Sequence, residues 1–343
     1  MSGGDVHVVV VAEATPGVAN MLRLLGWSLR TRGGTLANAP VTAVFNERED
    51  PEVSRELTER YGFRTIVRPR ISTSLRFTNK WNCLEAPLGG ARWMLFLDWD
   101  IAVCAPLDPL LHRLRTEGQS AGFFISPEFT RQAWGLRGIL KKHAGLTDAR
   151  LDEIAHDWYP ADRMPVFNTG VFALRADHID AFRREIVPMC DRLHRSMRAT
   201  SLNPWQWLKV QWNRRHWKKP DADRRIVGSF FPRVHAGQIA VPTTILKLGI
   251  PSALLTHVDN WRAPTCRFGD EAGIRLLHYM GSRFPEVDKA RLFDGHYFER
   301  FENSDNEGWR ALVELVRAYN AAGGVPHRAD PDRADPAPVH SPR

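Results

Sequence analysis

Two aspartates one residue apart, Asp98 and Asp100, follow the apolar run Trp93-Met94-Leu95-Phe96-Leu97. A buried strand that ends in two charges needs something to compensate them. A desolvated carboxylate is costly, and a divalent cation is its usual partner. If strand geometry continues through Trp99, the two side chains point the same way. Both then reach one Mg²⁺ or Mn²⁺, ions that prefer oxygen ligands and often carry substrate phosphates. The competing reading is a solvated strand end with an aspartate capping a helix. The D-x-D spacing alone does not choose between the two.

The elements around the pair predict the sheet that delivers it. Strand patterns at 7–14, 41–45 and 63–67 alternate with helix patterns at 18–32, ended by Gly33-Gly34, and at 52–61. A helix over 79–86 leads into the strand at 93–97. This alternation predicts an α/β fold with a mostly parallel, doubly wound sheet flanked by helices. Ligands gather beyond the carboxyl ends of such strands, where Asp98, Asp100 and the loop after Ala14 fall.

The second half is less regular. A strand at 122–126 precedes a polar, mostly helical insertion at 130–158, and a strand at 166–174 carries Asn168-Thr169-Gly170. Such a triplet by itself marks a turn or bulge. A helix over 177–197 follows. Asn203-Pro204 then opens a short helix with Trp205, Leu208 and Trp212 on one face, running into Arg214-Arg215-His216-Trp217-Lys218-Lys219 before Pro220. An apolar helix at 239–248, a short strand at 276–279 and a last helix at 309–321 complete the pattern. No repeat or linker divides residues 5–320, so a single domain is expected over 1–322. The proline-rich, charged tail at 323–343 is expected to be disordered.

Bulk properties narrow the function less than the motifs do. The 343 residues, 43% hydrophobic and 25% charged, are ordinary for a globular protein. No apolar run approaches the ~20 residues of a membrane-spanning helix. The apolar stretch 8–11 is followed at once by Glu13 with no basic segment before it, which reads as a first strand rather than a signal peptide. Cys83, Cys104, Cys190 and Cys266 form no C-x-x-C pair, which fits reduced thiols in the cytoplasm. The net charge of +8 would attract nucleic acids, anionic membranes and phosphorylated ligands alike. The basic, tryptophan-rich segment 205–219 suits core packing with solvated charge, an acceptor-binding wall, or peripheral contact with the inner face of a membrane. The turn after the first strand, Ala12-Glu13-Ala14-Thr15-Pro16-Gly17, lacks the G-x-G-x-x-G of a dehydrogenase and the glycine-rich, arginine-containing loop of a sugar-nucleotide pyrophosphorylase. No G-x-S-x-G marks a serine hydrolase.

The ordered set of the DWD pair, Asn168-Thr169-Gly170, Gln238 at the start of an amphipathic helix, Val258-Asp259-Asn260-Trp261, and His278-Tyr279-Met280-Gly281 resembles the GT-A glycosyltransferases. The likeness is to the retaining family 8 type, related to glycogenin and bacterial galactosyltransferases, over roughly residues 5–300. The resemblance implies a nucleotide-binding half at about 5–126 and an acceptor- and metal-completing half at about 127–322. It implies that Asp98, Asp100 and His278 hold Mn²⁺ or Mg²⁺ bridging the donor diphosphate, and imidazole with two carboxylates suits Mn²⁺. Asn168 and Gly170 would line the sugar site, and Gln238 would lie near the anomeric carbon. Ala12, Thr15 and Trp99 would lie against the nucleotide. Gly281 would lie in the loop under the phosphates, and Lys80 or Arg283 would add positive charge there.

The chain departs from the family at Ala236-Gly237, where an acidic residue usually precedes the glutamine, and at Phe284, where a lysine is usual. The expectation is a metal-dependent transferase moving a sugar from a UDP-hexose to an unidentified acceptor hydroxyl (glycan, small molecule, lipid or protein) with retention. Acceptor specificity would reside in the insertions 130–158 and 201–225. The alternatives are a protein that binds nucleotide without turnover and a basic nucleic-acid-binding protein.

Overall fold

The computed structural model describes residues 3–73, 76–116, 119–125, 136–158, 167–199, 236–262, 273–279, 289–304 and 306–324. The first half is built as expected. Strands β1 (Val6–Ala12), β2 (Val41–Asn46) and β3 (Phe63–Arg68) alternate with helices α1 (Pro16–Arg32) and α2 (Pro51–Tyr61). Pro starts both helices, where its missing N–H is no loss. The Asp50 side chain caps α2 by accepting from the N–H groups of Glu52 and Val53. Gly62, at φ +63°, closes α2 in the left-handed conformation that glycine adopts without strain. Strand β4 (Trp93–Leu97) then pairs parallel to β1.

The main sheet has the order β3-β2-β1-β4-β7-β6-β8, where β6 is Ala121–Ile125, β7 Phe167–Arg175 and β8 Ser252–Leu255. β7 alone among these strands runs against its neighbours. The sheet is therefore mostly parallel and wound on both faces. Alternate residues of β1 enter different cores, as strand geometry requires. Val6, Val8, Val10 and Ala12 share one core with α1 and α9 (Glu307–Ala321), whereas Val9 and Val11 share the other with α6 (Ala176–Ala199) and α7 (Ala236–Leu248). β1 is buried throughout, the near-continuous apolar run that a strand covered on both faces needs.

A second, small sheet of order β5-β10-β9 comprises β5 (Ile101–Val103), β10 (Leu276–His278) and β9 (Trp261–Arg262). Helices α3 (Asp108–Thr116), α4 (Leu136–Ala144), α5 (Asp148–Trp158) and α8 (Gly295–Glu302) complete the described helices. α4 and α5 occupy the described part of the expected helical insertion. The element expected as a helix at 79–86 is a 3-10 helix, Arg76–Glu85.

Two expectations need correction. Strand geometry does not persist through Trp99: β4 ends at Leu97, and residues 98–100 form a turn in which the Ile101 N–H donates to the Asp98 carbonyl at 3.1 Å. The first residues of the expected tail are held, since Gly324 N–H donates to the Tyr319 carbonyl and Tyr61 donates its hydroxyl to the Gly324 carbonyl at 2.9 Å. No helix among the described residues is long and apolar enough to cross a membrane. The short helix at 204–219, the insertion 201–225, Met280 and residues 325–343 lie outside the described residues.

Candidate metal centre

The turn at 98–100 links the two sheets, and this link builds the site. β4 belongs to the main sheet and β5 to the small one, so Asp98 and Asp100 sit where the chain passes between them. β10 then returns antiparallel to β5 with His278 opposite Ile101, and the Tyr279 N–H donates to the Asp100 carbonyl at 3.2 Å. One ligand atom from each of Asp98, Asp100 and His278 lies within 4.8 Å of the others. The two carboxylates thus converge through a turn and a neighbouring strand, not through i,i+2 alternation.

All three side chains are largely shielded, at 18%, 10% and 8% exposure. His278 Nε2 is 3.3 Å from Asp100 Oδ1. The two are not aligned as a hydrogen bond, so Asp100 Oδ1 is a buried oxygen without a hydrogen-bond partner. Burial beside Asp100 raises the pKa of Asp98, and the Lys80 ammonium opposes that rise. Burial also pushes Asp100 upward, but His278 and Lys80 outweigh it and hold its carboxyl below the ordinary range.

A chain of amides fixes the imidazole. Asn168 Oδ1 accepts from the Gly170 N–H at 2.8 Å and from Asn260 Nδ2 at 3.1 Å. That leaves Asn260 Oδ1 facing His278 Nδ1 at 3.2 Å. A carboxamide oxygen only accepts, so Nδ1 carries a proton, and Nε2 is the ring atom that faces Asp100. This is the outer-shell support that metal-ligating histidines ordinarily have. Asp259 anchors the assembly from behind, accepting from Arg275 Nε at 2.7 Å and from the Thr256 hydroxyl at 2.8 Å. Two oxygens and one nitrogen, an orphaned buried oxygen and a fixed tautomer fit a divalent cation of the Mn²⁺ type.

Gly170 has a steric role. A Cβ there would stand 2.5 Å from His278 Cε1 and 2.6 Å from Nδ1, so only glycine lets the ring lie against β7. The strand is irregular at that point: the pairing of β6 with β7 jumps from Phe123–Phe172 to Phe124–Asn168. Such a bulge re-aims side chains, here bringing Asn168 inward. Gly170 also accepts the Asp98 N–H through its carbonyl at 2.7 Å.

Lys80 completes the described centre. Its ammonium donates to Asp98 Oδ2 at 2.9 Å and to the carbonyl and hydroxyl of Thr169 at 3.0 Å each. Trp99 is packed at the edge of the core. Ala12 is buried at the carboxyl end of β1, and Thr15 stands exposed before α1 with no side-chain capping bond. Gln238 is the third residue of α7, and its Oε1 is buried without a hydrogen-bond partner. Gly281 and Arg283 lie outside the described residues, as does Cys266.

Sequence reasoning missed Asn260 and Thr169 as supporting residues, and Lys289, whose ammonium lies 4.2 Å from the centre of the Trp99 ring. The Val258-Asp259-Asn260-Trp261 motif was the available signal for Asn260.

No protein-family model matches the sequence, and no curated protein does. Among solved structures the chain is similar to the galactosyltransferase LgtC in complex with donor and acceptor sugar analogues. The identity is 13% and the TM-score 0.46, with 93% of this chain and 100% of that chain covered. It is similar also to an active-site mutant of LgtC, at 13% identity and TM-score 0.44, covering 91% and 95% of the two chains. Likeness at this level carries no weight for function, which rests on the site itself.

Proposed function

We propose that this chain is a metal-dependent glycosyltransferase of the GT-A type, moving a hexose from a UDP-sugar to an acceptor hydroxyl with retention. The observation that carries the reading is the convergence of Asp98, Asp100 and His278 from two sheets onto one point, with an oxygen left unpartnered there. Its position at the carboxyl end of a parallel sheet is where such folds bind ligands. The order of the motifs along the chain supports the donor class.

Asp98, Asp100 and His278 would hold Mn²⁺ or Mg²⁺, which when bound supplies Lewis-acid stabilisation of the diphosphate leaving group. Lys80, already at the centre, adds a fixed positive charge to the leaving phosphate. Gln238 Oε1, with no hydrogen-bond partner among the described residues, would face positive charge developing at the anomeric carbon. With both carboxylates of the centre committed as ligands, attack is assigned to the front face. The bond from the anomeric carbon to the diphosphate breaks, the bond to the acceptor oxygen forms, and the acceptor proton passes to the departing phosphate.

The test is calorimetric titration of UDP with Mn²⁺, without metal, and against Asp100→Asn. Binding that requires both Mn²⁺ and Asp100 is the expected result. Folded protein that binds no nucleotide would end the transferase reading, and salt-sensitive RNA binding in its place would make the basic surface the functional one. UDP binding without turnover of any UDP-sugar would leave a nucleotide-binding protein. Proton NMR of the first-formed product reads the stereochemistry, and inversion would refute the front-face assignment.

A further inference from the structure

Two lysines reach the segment 98–100 that carries the paired carboxylates. Lys80 stands on the Asp98 side and is hydrogen-bonded there. Lys289 opens the 3-10 helix Lys289–Arg291 and sends its ammonium to Trp99, the residue between the two aspartates. Its stem is pinned to the start of α1. A Cβ at Gly17 would meet Lys289 Cβ at 2.6 Å, so the glycine makes room for it, and the Asn20 side chain donates to the Lys289 carbonyl at 3.2 Å. The ammonium lies over the indole of Trp99, 4.2 Å from the ring centroid, in cation–π contact.

This placement is unusual for a lysine with only a packing role. Half-buried lysines mostly send the head group to water or to a carboxylate. Among the described residues Lys289 has no ion pair, and its charge is held by the indole and by the field of Asp100. Burial lowers its pKa, and Asp100 works against that fall. The contact also occupies one face of Trp99, so that face is not open to a nucleobase.

We propose that Lys289 is a phosphate-contacting residue of the donor site, and that Trp99 is a positioning residue that aims it rather than a surface for the nucleotide. The inference rests on the donor-site reading above. A nucleoside diphosphate brings more negative charge than one divalent cation neutralises, and its phosphates must lie beside the metal ligands. A half-buried ammonium over Trp99, the residue between the two aspartates, meets that excess together with the one that Lys80 supplies at Asp98. The lysine that resemblance places after the glycine loop is Phe284 here, and Lys289 brings the charge from a different element.

The experiment measures Mn²⁺-supported binding of UDP by calorimetry, and of uridine by ligand-observed NMR, to the wild type, Lys289→Met, Lys289→Arg and Trp99→Leu. Lys289→Met is expected to weaken UDP by about 10- to 100-fold and to leave uridine unchanged, the loss of one charge-assisted contact to phosphate. Lys289→Arg should recover most of the UDP affinity. Trp99→Leu should weaken UDP less than Lys289→Met does, again sparing uridine. Equal UDP affinity in Lys289→Met and wild type overturns the assignment while leaving the donor site standing. A parallel loss of uridine and UDP also overturns it, because a packing defect at α1 would act on both. If the wild type binds neither probe, the donor-site reading falls and this inference falls with it.

Discussion

His7 and His278 are both buried, and both carry the proton on Nδ1, because in each case that nitrogen faces an oxygen that can only accept: the Leu88 carbonyl at 3.2 Å for His7, Asn260 Oδ1 at 3.2 Å for His278. They differ at Nε2. In His7 it receives the Thr42 hydroxyl at 2.8 Å, and the ring is finished. In His278 it faces Asp100 Oδ1 at 3.3 Å, off the line of a hydrogen bond. The first arrangement closes on itself. The second leaves a ring nitrogen and a carboxylate oxygen turned toward one point, where a cation can join them.

The same contrast holds at the scale of the sheet. A cleft of about 770 Å³ opens at the amino end, lined by Asp5, Arg92, Arg115, Arg175 and Asp177 among others. Its charges already answer one another: Arg92 bonds Asp5 at 3.2 Å, and Arg175 bonds Asp177 at 2.6 Å. Unsatisfied polar chemistry points to the carboxyl end, and a buried polar atom left without a partner is the rarer and more informative sign.

Parallel alanine variants of the two histidines break the comparison most directly. His278→Ala is expected to lower Mn²⁺-supported UDP affinity by about 100-fold or more, at or beyond the upper end of what loss of an outer-shell partner costs. His7→Ala should leave that affinity intact in the folded protein and instead lower the urea midpoint. Calorimetry and urea denaturation on both variants read the two effects, and a shared signature would erase the distinction.

Gly170→Ala comes next. Its Cβ would drive into the His278 ring, costing about 1–3 kcal/mol as overpacking, and the ring must turn away from Asp100 to relieve it. Mn²⁺-supported UDP binding should fall by about 10- to 100-fold, as for displacement of an outer-shell support. Unchanged affinity would mean that the ring's position is not what the site requires. Asn260→Ala is milder: the ring keeps its place and loses the acceptor that fixes its tautomer. The affinity loss should sit near the ~10-fold end of the same range, and the metal-free protein should lose about 1–3 kcal/mol, because a buried ring N–H is left without its acceptor.

These supporting residues also mark how far the sequence could be read. Asp98 and Asp100 stand out because charges follow five apolar residues, and the strand–helix alternation of the first half spells out the sheet. The turn at 98–100 was hidden, since an i,i+2 pair suits both a strand and a turn. β5 and β9, at three and two residues, are too short to show a period, and so is the three-residue 3-10 helix that brings Lys289. Asn260 lies 18 residues from His278, and Lys289 lies 189 residues from Asp100, separations that only tertiary pairing closes. α3 and α8, at nine and eight residues, are too short for their amphipathic period to stand out from the surrounding loops.

The smallest effect sharpens the comparison from the structural side. Burial, only partly offset by the bond to Leu88, depresses the pKa of His7 below its ordinary 6.5, and Arg64 adds to the depression. The unfolded chain therefore binds a proton that folded His7 resists, and stability rises with pH wherever that difference exists. The contribution of His7 is complete above about pH 6.5 and is lost as pH falls from there through the folded value, with a slope of at most about 1.4 kcal/mol per pH unit. Urea unfolding of the wild type and His7→Phe between pH 7.5 and 5 should show a steeper acid loss in the wild type, because phenylalanine has no proton to take up. Thr42→Val should cost about 1–2 kcal/mol at pH 7.5, the usual penalty for a buried acceptor stripped of its donor. Neither variant should alter Mn²⁺-supported UDP affinity measured at pH 7.5. A change there would mean that the two ends of the sheet are coupled, and that His7 is not the closed, purely structural histidine its two hydrogen bonds describe.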